Sequence, residues 1–526
     1  MLDESMHWSF VSARKLIEEK GNKDKYVLAA GITPSGTIHI GNFREVMTVD
    51  LIVRALKKMG KEVRFIFSWD DFDVFRKVPV NMPEQERLKD YLRMPVTIVP
   101  DTYEGCNHKS FADHNEFEFA ESLPEVGINP EFINQSIKYM NCDYAEEINF
   151  CLKKTEDIKK ILNKYREEPL EEGWLPVSIF CDICHKDTIS DVKYLGDYKV
   201  SYKCDVCDNE ETFDFRKKGI IKLNWRVDWP MRWHYEKVDF EPAGKDHFAA
   251  GGSRESGVEI IEKLWNIKAP YGFMYEWIAI KGGKEFSSSK GIVTTLKDVL
   301  EIYEPEIVRW IFCGTRPNAA FNITFDLDVL NIYESFDKCE RFYFDLEEDN
   351  EKEVMKQKAT YELCVVGEIP KKIPNRLSFR HITTILQFYE MNEEETLNYF
   401  IKENKLDKVS QEKVKSRIYC AKNWLNKFAP EEFKFSLNKT KNEEYYSQMT
   451  NERKEAVDKF KKLLERFESE DIEELSSQIF EIPKSLNLDM KTFFKDIYNL
   501  IVSKDRGPKL AAFVIEAGKD RIISLL

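Results

Sequence analysis

Apolar residues over the first hundred positions follow two rhythms. Tyr26-Val27-Leu28-Ala29-Ala30 is a short unbroken run, the pattern of a strand buried on both faces. It gives way to Gly31-Ile32-Thr33-Pro34-Ser35-Gly36, whose residue types predict a loop. Val46, Val49, Ile52, Val53 and Leu56 then recur at helical spacing, and Gly60 is placed to end that helix. Val63-Arg64-Phe65-Ile66-Phe67 predicts a second strand, followed by Trp69-Asp70-Asp71-Phe72-Asp73. Strand, loop, helix, strand predicts a βαβ unit of a doubly wound parallel sheet, where ligands sit beyond the carboxyl ends of the strands. The loop 31–41 and the acidic turn 70–73 are therefore both expected at a site. Residues 96–220 break the rhythm and read as an insertion. Residues 221–295 return to strand and loop patterns, and apolar spacing is mainly helical from Leu296 onward. The charged tract 437–455 is expected as an exposed connection between helices.

Composition narrows the class. The 526 residues are 42% hydrophobic and 13% aromatic, enough for several cores and against a disordered chain. A net charge of -14 argues against a nonspecific nucleic-acid coat, but leaves room for local basic strips. Apolar runs stay short of a membrane span, and the start Met1-Leu2-Asp3-Glu4-Ser5 does not resemble a signal peptide, so a cytoplasmic protein is expected. Eleven cysteines do not suggest a disulfide scaffold at this length. Four of them form Cys181-x2-Cys184 and Cys204-x2-Cys207, with 19 residues between the pairs. That spacing predicts a closed structural zinc site, with no ligand position left open for catalysis.

Two segments carry candidate chemistry. In Thr33-Pro34-Ser35-Gly36-Thr37-Ile38-His39-Ile40-Gly41-Asn42 a glycine-bearing loop enters a helix, whose N-terminus attracts phosphate. Gly41 permits close approach of a nucleotide, and His39 and Asn42 can donate to phosphate oxygens. The second is Lys284-Glu285-Phe286-Ser287-Ser288-Ser289-Lys290-Gly291, whose hydroxyls and lysines suit a pyrophosphate leaving group. Alone, each reads as an ordinary turn or a Ser-rich loop; together they point to nucleotide chemistry.

The pair resembles the HIGH and KMSKS signatures of class I aminoacyl-tRNA synthetases. His39-Ile40-Gly41-Asn42 matches the first with Asn in the last place. The second departs from its pattern, with Glu285 and Ser288 at the two lysine positions, and its Ser-Ser-Ser-Lys-Gly form is similar to that of class I lysyl-tRNA synthetases. Lys290, then Lys284, are the candidates to meet pyrophosphate. The resemblance continues through Trp69-Asp70-Asp71-Phe72-Asp73, Asp228-Trp229-Pro230-Met231-Arg232-Trp233 and Gly244-Lys245-Asp246-His247, covering residues 25–330. It implies an α/β fold: a Rossmann-like HIGH-type core with a zinc-containing insertion, followed by an α-helical anticodon-binding region. The corresponding boundaries are 1–95 and 221–295 for the core, 96–220 for the insertion, 296–355 for a stem-contact region and 356–526 for the anticodon-binding domain.

The implied reaction is ATP-dependent activation of L-lysine to lysyl-adenylate, followed by transfer to the 3′-terminal ribose of tRNA(Lys), with Mg²⁺ on the pyrophosphate. His39, Asn42, Ser287, Ser289 and Lys290 would act in catalysis. Thr33, Ser35, His39, Gly41, Asn42, Gly244, Asp246, His247, Ser287 and Lys290 would bind ATP. A lysine pocket needs a carboxylate for the ammonium and an aromatic for the stem, which favours Asp70 and Trp225 with Gly31, Thr33 and His247. The segment before Pro34 has no arginine for a side-chain carboxylate, which argues against a glutamyl enzyme. The resemblance also implies a second zinc site at Asp101, Cys106, His108 and His114. Basic residues at Lys371, Lys372, Arg376, Arg380, Lys413, Lys415, Arg417, Lys422 and Lys427, with Phe379, Tyr419 and Trp424, are expected to face RNA. A monomer is favoured, with no membrane or DNA partner. Alternatives are another class I specificity, a small-molecule nucleotidyltransferase, and a non-catalytic zinc- and RNA-binding paralogue.

Overall fold

The computed structural model describes residues 7–80, 82–282, 293–469 and 471–526. The chain divides into two compact units. The first comprises Met1–Leu300, Pro305–Ile323 and Cys339–Ile369; the second comprises Glu301–Glu304, Thr324–Lys338 and Pro370–Leu526.

The first unit begins with helix α1 (Trp8–Lys20) and strand β1 (Lys25–Ile32). Helix α2 (Ile40–Lys58) returns the chain to strand β2 (Glu62–Trp69), which pairs parallel with β1 over all eight residues, from Lys25 opposite Glu62 to Ile32 opposite Trp69. The helix starts where the side-chain oxygen of Asn42 accepts from the His39 N–H at 3.2 Å. It ends as the apolar pattern predicts: Gly60 takes a left-handed φ of 76°, and the Lys61 N–H reaches the Leu56 carbonyl at 3.0 Å. Helix α3 (Phe111–Ser122) precedes strand β3 (Glu131–Asn134), which pairs parallel with β2. The tract 96–220 thus supplies a strand to the main sheet. On the opposite side of β1, backbone hydrogen bonds extend the parallel array through Phe240 and Tyr271.

Helices cover both faces of this sheet. Helix α2 packs on β1 and β2. On the other face Ala29, Ile66 and Ile133, from three neighbouring strands, form a core with Trp229 and Trp233. Those tryptophans lie on helix α4 (Trp225–Glu236), which packs against helix α5 (Ser253–Trp265).

Between β3 and α4 the chain builds a small antiparallel module. Strand β4 (Val177–Ile179) pairs with β8 (Ile221–Leu223), and a meander of β5 (Ile189–Gly196), β6 (Lys199–Cys204) and β7 (Glu210–Asp214) lies between them in sequence. Cys181 follows β4 and Cys204 ends β6, and the two cysteine pairs meet between these strand ends.

Helices make up the second unit. Glu304 is buried and accepts from Arg376 at 3.1 Å and from Arg417 at 2.7 Å. Arg417 also holds Asp337 at 2.8 Å and the Leu377 carbonyl at 2.7 Å. Trp424 donates to the Phe325 carbonyl at 2.9 Å, and Phe379 stacks on Tyr333 with ring centres 3.8 Å apart. These contacts correct the sequence reading: Arg376, Arg417, Phe379 and Trp424 hold the core of this unit and do not face RNA. Lys422, Lys427 and Arg380 engage Glu393, Glu301 and Glu334, while Tyr419 stays exposed. The tract 437–455 contains the helix Glu443–Ser447 and buries Leu437 and Met449, so it is more ordered than its charge suggests. Among the described residues, no helix is long and apolar enough to cross a membrane.

Removing one partner of a buried ion cluster strands the others without solvent, at a cost of about 3–5 kcal/mol. Arg417→Ala should therefore lower the stability of the helical unit by about that amount, read as an earlier urea transition in the full-length protein. A shift below about 1 kcal/mol would show that Glu304 and Asp337 find other partners.

Candidate active site

A cavity of about 350 Å³ opens at the carboxyl ends of β1 and β2. Gly31 and Ile32 reach it from β1, and His39, Gly41, Asn42 and Glu45 from the entry to α2. Phe67 of β2 and Phe119 of α3 supply an aromatic wall, and Gly244, Tyr275, Glu276, Trp277 and Ile278 close the far side. Gly31 has a steric reason to be glycine. A Cβ there would lie 2.9 Å from the Ser68 carbonyl oxygen on β2, closer than the two paired strands permit.

The first two turns of α2 give the cavity its polarity. Burial lowers the His39 pKa to about 4, so its imidazole is neutral at pH 7 and can donate one hydrogen bond. The Ile40 N–H is bonded to the Thr294 carbonyl at 2.8 Å, which ties the chain beyond the second motif to the first. Glu45 follows Gly41 by four residues and so faces the same way along the helix. Its carboxylate accepts from the Gly31 N–H at 2.8 Å and from the Tyr275 hydroxyl. Among the described residues no cation pairs with Glu45, and burial raises its pKa from 4.5 to about 8. A carboxyl held in a cavity by neutral donors alone is suited to a cationic ligand.

Gly31, His39, Gly41, Asn42 and Gly244 meet in this one cavity. Thr33 and Ser35 line an adjoining cavity of about 300 Å³ with Asp73, Arg76 and Lys77. The acidic turn is already engaged. Asp70, the sequence candidate for a lysine ammonium, is paired with Arg232 at 2.6 Å, while Asp71 accepts from the N–H and hydroxyl of Ser136 at 2.7 and 2.5 Å. Trp225 stacks on Trp229 with centres 5.3 Å apart, and Arg232 lies 5.4 Å over its ring. His247 bonds Ser253 at 2.7 Å and lies 6.2 Å from Trp225; Asp246 sits beside it on the short helical turn Lys245–Phe248. Ser287, Ser289 and Lys290 lie outside the described residues.

Sequence reasoning missed Glu45 and Tyr275. A signal existed for Glu45: it is an acid four residues after Gly41, next to the apolar stripe of α2. Tyr275 had none, because only the fold brings it to Glu45 across a separation of 230 residues.

Two clusters could hold metal. Cys181, Cys184, Cys204 and Cys207 place their sulfurs within 4.8 Å of one another, with Cys181–Cys207 at 3.6 Å and Cys184–Cys204 at 3.5 Å. Tetrahedral zinc–thiolate geometry asks for about 3.8 Å between sulfurs, so the set fits that ion. Asp101, Cys106, His108 and His114 likewise bring one ligand atom each within 4.8 Å, and both imidazoles lie 3.2 Å from the same Asp101 oxygen.

Fold and cavity together define an α/β protein whose ligand site lies at the carboxyl ends of parallel strands and at a helix N-terminus. The family model for tRNA synthetases class I (K) matches residues 6–366, and the chain belongs to that family. It is 47% identical over 521 residues to a lysine–tRNA ligase of Borreliella burgdorferi, covering 98% of each chain. It is 43% identical over 532 residues to that of Thermococcus kodakarensis, covering 99% of each. With that of Treponema pallidum it shares 41% over 531 residues, covering 100% of this chain and 99% of the relative.

A carboxyl that is protonated in the fold and ionised when unfolded adds stability below its unfolded pKa, and that contribution is lost as pH rises through the folded value. For Glu45 the window runs from 4.5 to about 8. Across it, thermal melts should show Glu45→Gln gaining stability relative to wild type. Parallel pH profiles for the two proteins would mean that Glu45 titrates normally.

Proposed function

We propose that this protein is a lysine–tRNA ligase that activates L-lysine with ATP and transfers it to the 3′-terminal ribose of tRNA(Lys). Identity of 41–47% along nearly the whole chain to lysine–tRNA ligases supports the activity. The observation that carries the specificity is Glu45, a buried carboxyl in the cavity that pairs with no cation among the described residues and can ionise to take an ammonium of lysine. A glutamate side chain would offer this carboxyl no cation to pair with. Asp70 does not serve that purpose, because Arg232 already occupies it.

In the first step the lysine carboxylate oxygen attacks the α-phosphorus of ATP; the bond to the β-phosphate bridging oxygen breaks and pyrophosphate leaves. In the second, a ribose hydroxyl of the tRNA terminus attacks the lysyl carbonyl and AMP leaves. The protein supplies position and charge compensation, with no covalent nucleophile. The α2 N-terminus and neutral His39 face the phosphates, and Asn42 holds the helix entry through the His39 N–H. Gly41 and Gly244 leave room for the nucleoside. Mg²⁺ would neutralise the pyrophosphate, alongside Lys290 and the hydroxyls of Ser287 and Ser289.

The reading assigns the parallel sheet to a Rossmann-like core and the four cysteines to a structural zinc in the module between β4 and β8. The second cluster would take another zinc, and the helical unit would meet the anticodon arm. Such a protein would work in the cytoplasm.

Lysine-dependent ATP–pyrophosphate exchange, run with tRNA(Lys) and compared across the amino acids, tests the reading; exchange with a different amino acid, or with none, overturns it. Glu45→Gln should raise KM for lysine about tenfold or more with KM for ATP within about twofold, as expected for a lost charge-assisted hydrogen bond. An unchanged KM for lysine would remove Glu45 from recognition. His39→Ala should lower kcat about a hundredfold while the protein melts as wild type does. Elemental analysis should find one to two zinc per chain, and Cys204→Ser should lose one equivalent; a folded, metal-free wild type would contradict the zinc assignment.

A further inference from the structure

Asp73 sits in the acidic turn after β2, yet its carboxylate is shared between two distant parts of the first unit. One oxygen takes the Lys222 ammonium at 2.5 Å, and the other accepts from the Thr33 hydroxyl at 3.1 Å. Lys222 comes from β8, 149 residues along the chain. It is 8% exposed, opposite Ser178 of β4 in register, and its ammonium lies 5.9 Å over the Tyr139 ring. Phe72, next to Asp73, packs against Tyr139 and Phe180 with ring centres 5.7 and 5.0 Å away. Asp228 and Asp70 add their charges around the buried ammonium, so Lys222 stays a cation held against Asp73.

Thr33 has one hydroxyl proton. Donating it to Asp73 leaves the oxygen with lone pairs alone, so Thr33 presents an acceptor to the adjoining cavity that it lines. A neutral partner in place of the carboxylate would allow the hydroxyl to turn and present a donor. The polarity of this loop is therefore set by the Asp73 carboxylate, whose position Lys222 of β8 holds.

We propose that Lys222 is a positioning residue for lysine activation: it fixes the Asp73 carboxylate, which fixes the Thr33 hydroxyl as an acceptor for an ammonium of the lysine substrate. The inference rests on the lysine–tRNA ligase reading. Lys222 touches no substrate; it acts through Asp73 and Thr33.

A double-mutant cycle tests it, with lysine-dependent ATP–pyrophosphate exchange in the presence of tRNA(Lys) as the readout. Lys222→Met and Thr33→Val should each lower kcat/KM for lysine about tenfold or more, with KM for ATP within about twofold. The double variant should be no more than about twofold worse than either single one, because both remove the same link. Lys222→Arg, which keeps the charge, should recover part of the loss. If Lys222→Met fails to melt cooperatively, the cycle is run with Lys222→Arg, whose smaller loss should likewise vanish in the Thr33→Val background. Losses that multiply, an equal rise in KM for ATP, or full activity in Lys222→Met would each overturn the proposal. A wild type without lysine-dependent exchange would remove the reading itself, and the inference with it.

Discussion

Eight residues of β1 lie against eight of β2 in parallel, and the placement of the site follows from that pairing. Parallel neighbours need a crossover, and α2 provides it, so the helix must begin at the end of the sheet where β1 leaves off. Three features converge there for one reason. The loop 33–39 has to turn into α2, the acids of the turn 70–73 have to follow β2, and the α2 N-terminus has to lie at the opening. At Gly31 the Ser68 carbonyl leaves no room for a side chain, and the bare backbone forms part of the cavity wall.

Charge at this end of the sheet is sorted by whether it has a partner. Asp70 is paired with Arg232 of α4 and Asp73 with Lys222 of β8. Asp71 is satisfied by Ser136 and Asn134. Glu45 also has only neutral donors, the Gly31 N–H and the Tyr275 hydroxyl, but unlike Asp71 it lines the cavity. Burial raises its pKa, and in the proposed reading an amino acid with a second ammonium supplies its charge partner. The paired acids serve a different end. They hold the strand ends and the first motif in register, so that the unpaired acid and the helix N-terminus keep their relative positions.

Much of this was legible in the sequence. The apolar run 26–30, the helical stripe 46–56 and the run 63–67 become β1, α2 and β2, because each rhythm matches the burial of its element. The cysteine spacing pointed to the four-sulfur cluster, and the family resemblance to the second cluster. What the sequence hid were pairings across long separations. Asp70 reads as an open carboxylate until Arg232 is seen beside it, and Arg376 and Arg417 read as RNA ligands until Glu304 is seen between them. Glu45 was hidden for the opposite reason: one acid in an amphipathic helix passes for a surface residue unless a cavity is known to open above it. Charge state follows from partners, and partners are a property of the fold.

The direct test of that account is calorimetry of lysine binding at pH 7 in buffers of differing ionisation enthalpy. Glu45 is mostly protonated before binding if its pKa is about 8, and it must ionise to hold an ammonium. Binding should therefore release most of one proton to the buffer in the wild type and none in Glu45→Gln. Tight lysine binding with no proton release, or the same release from both proteins, would contradict the claim that an uncompensated Glu45 carboxyl recognises the substrate.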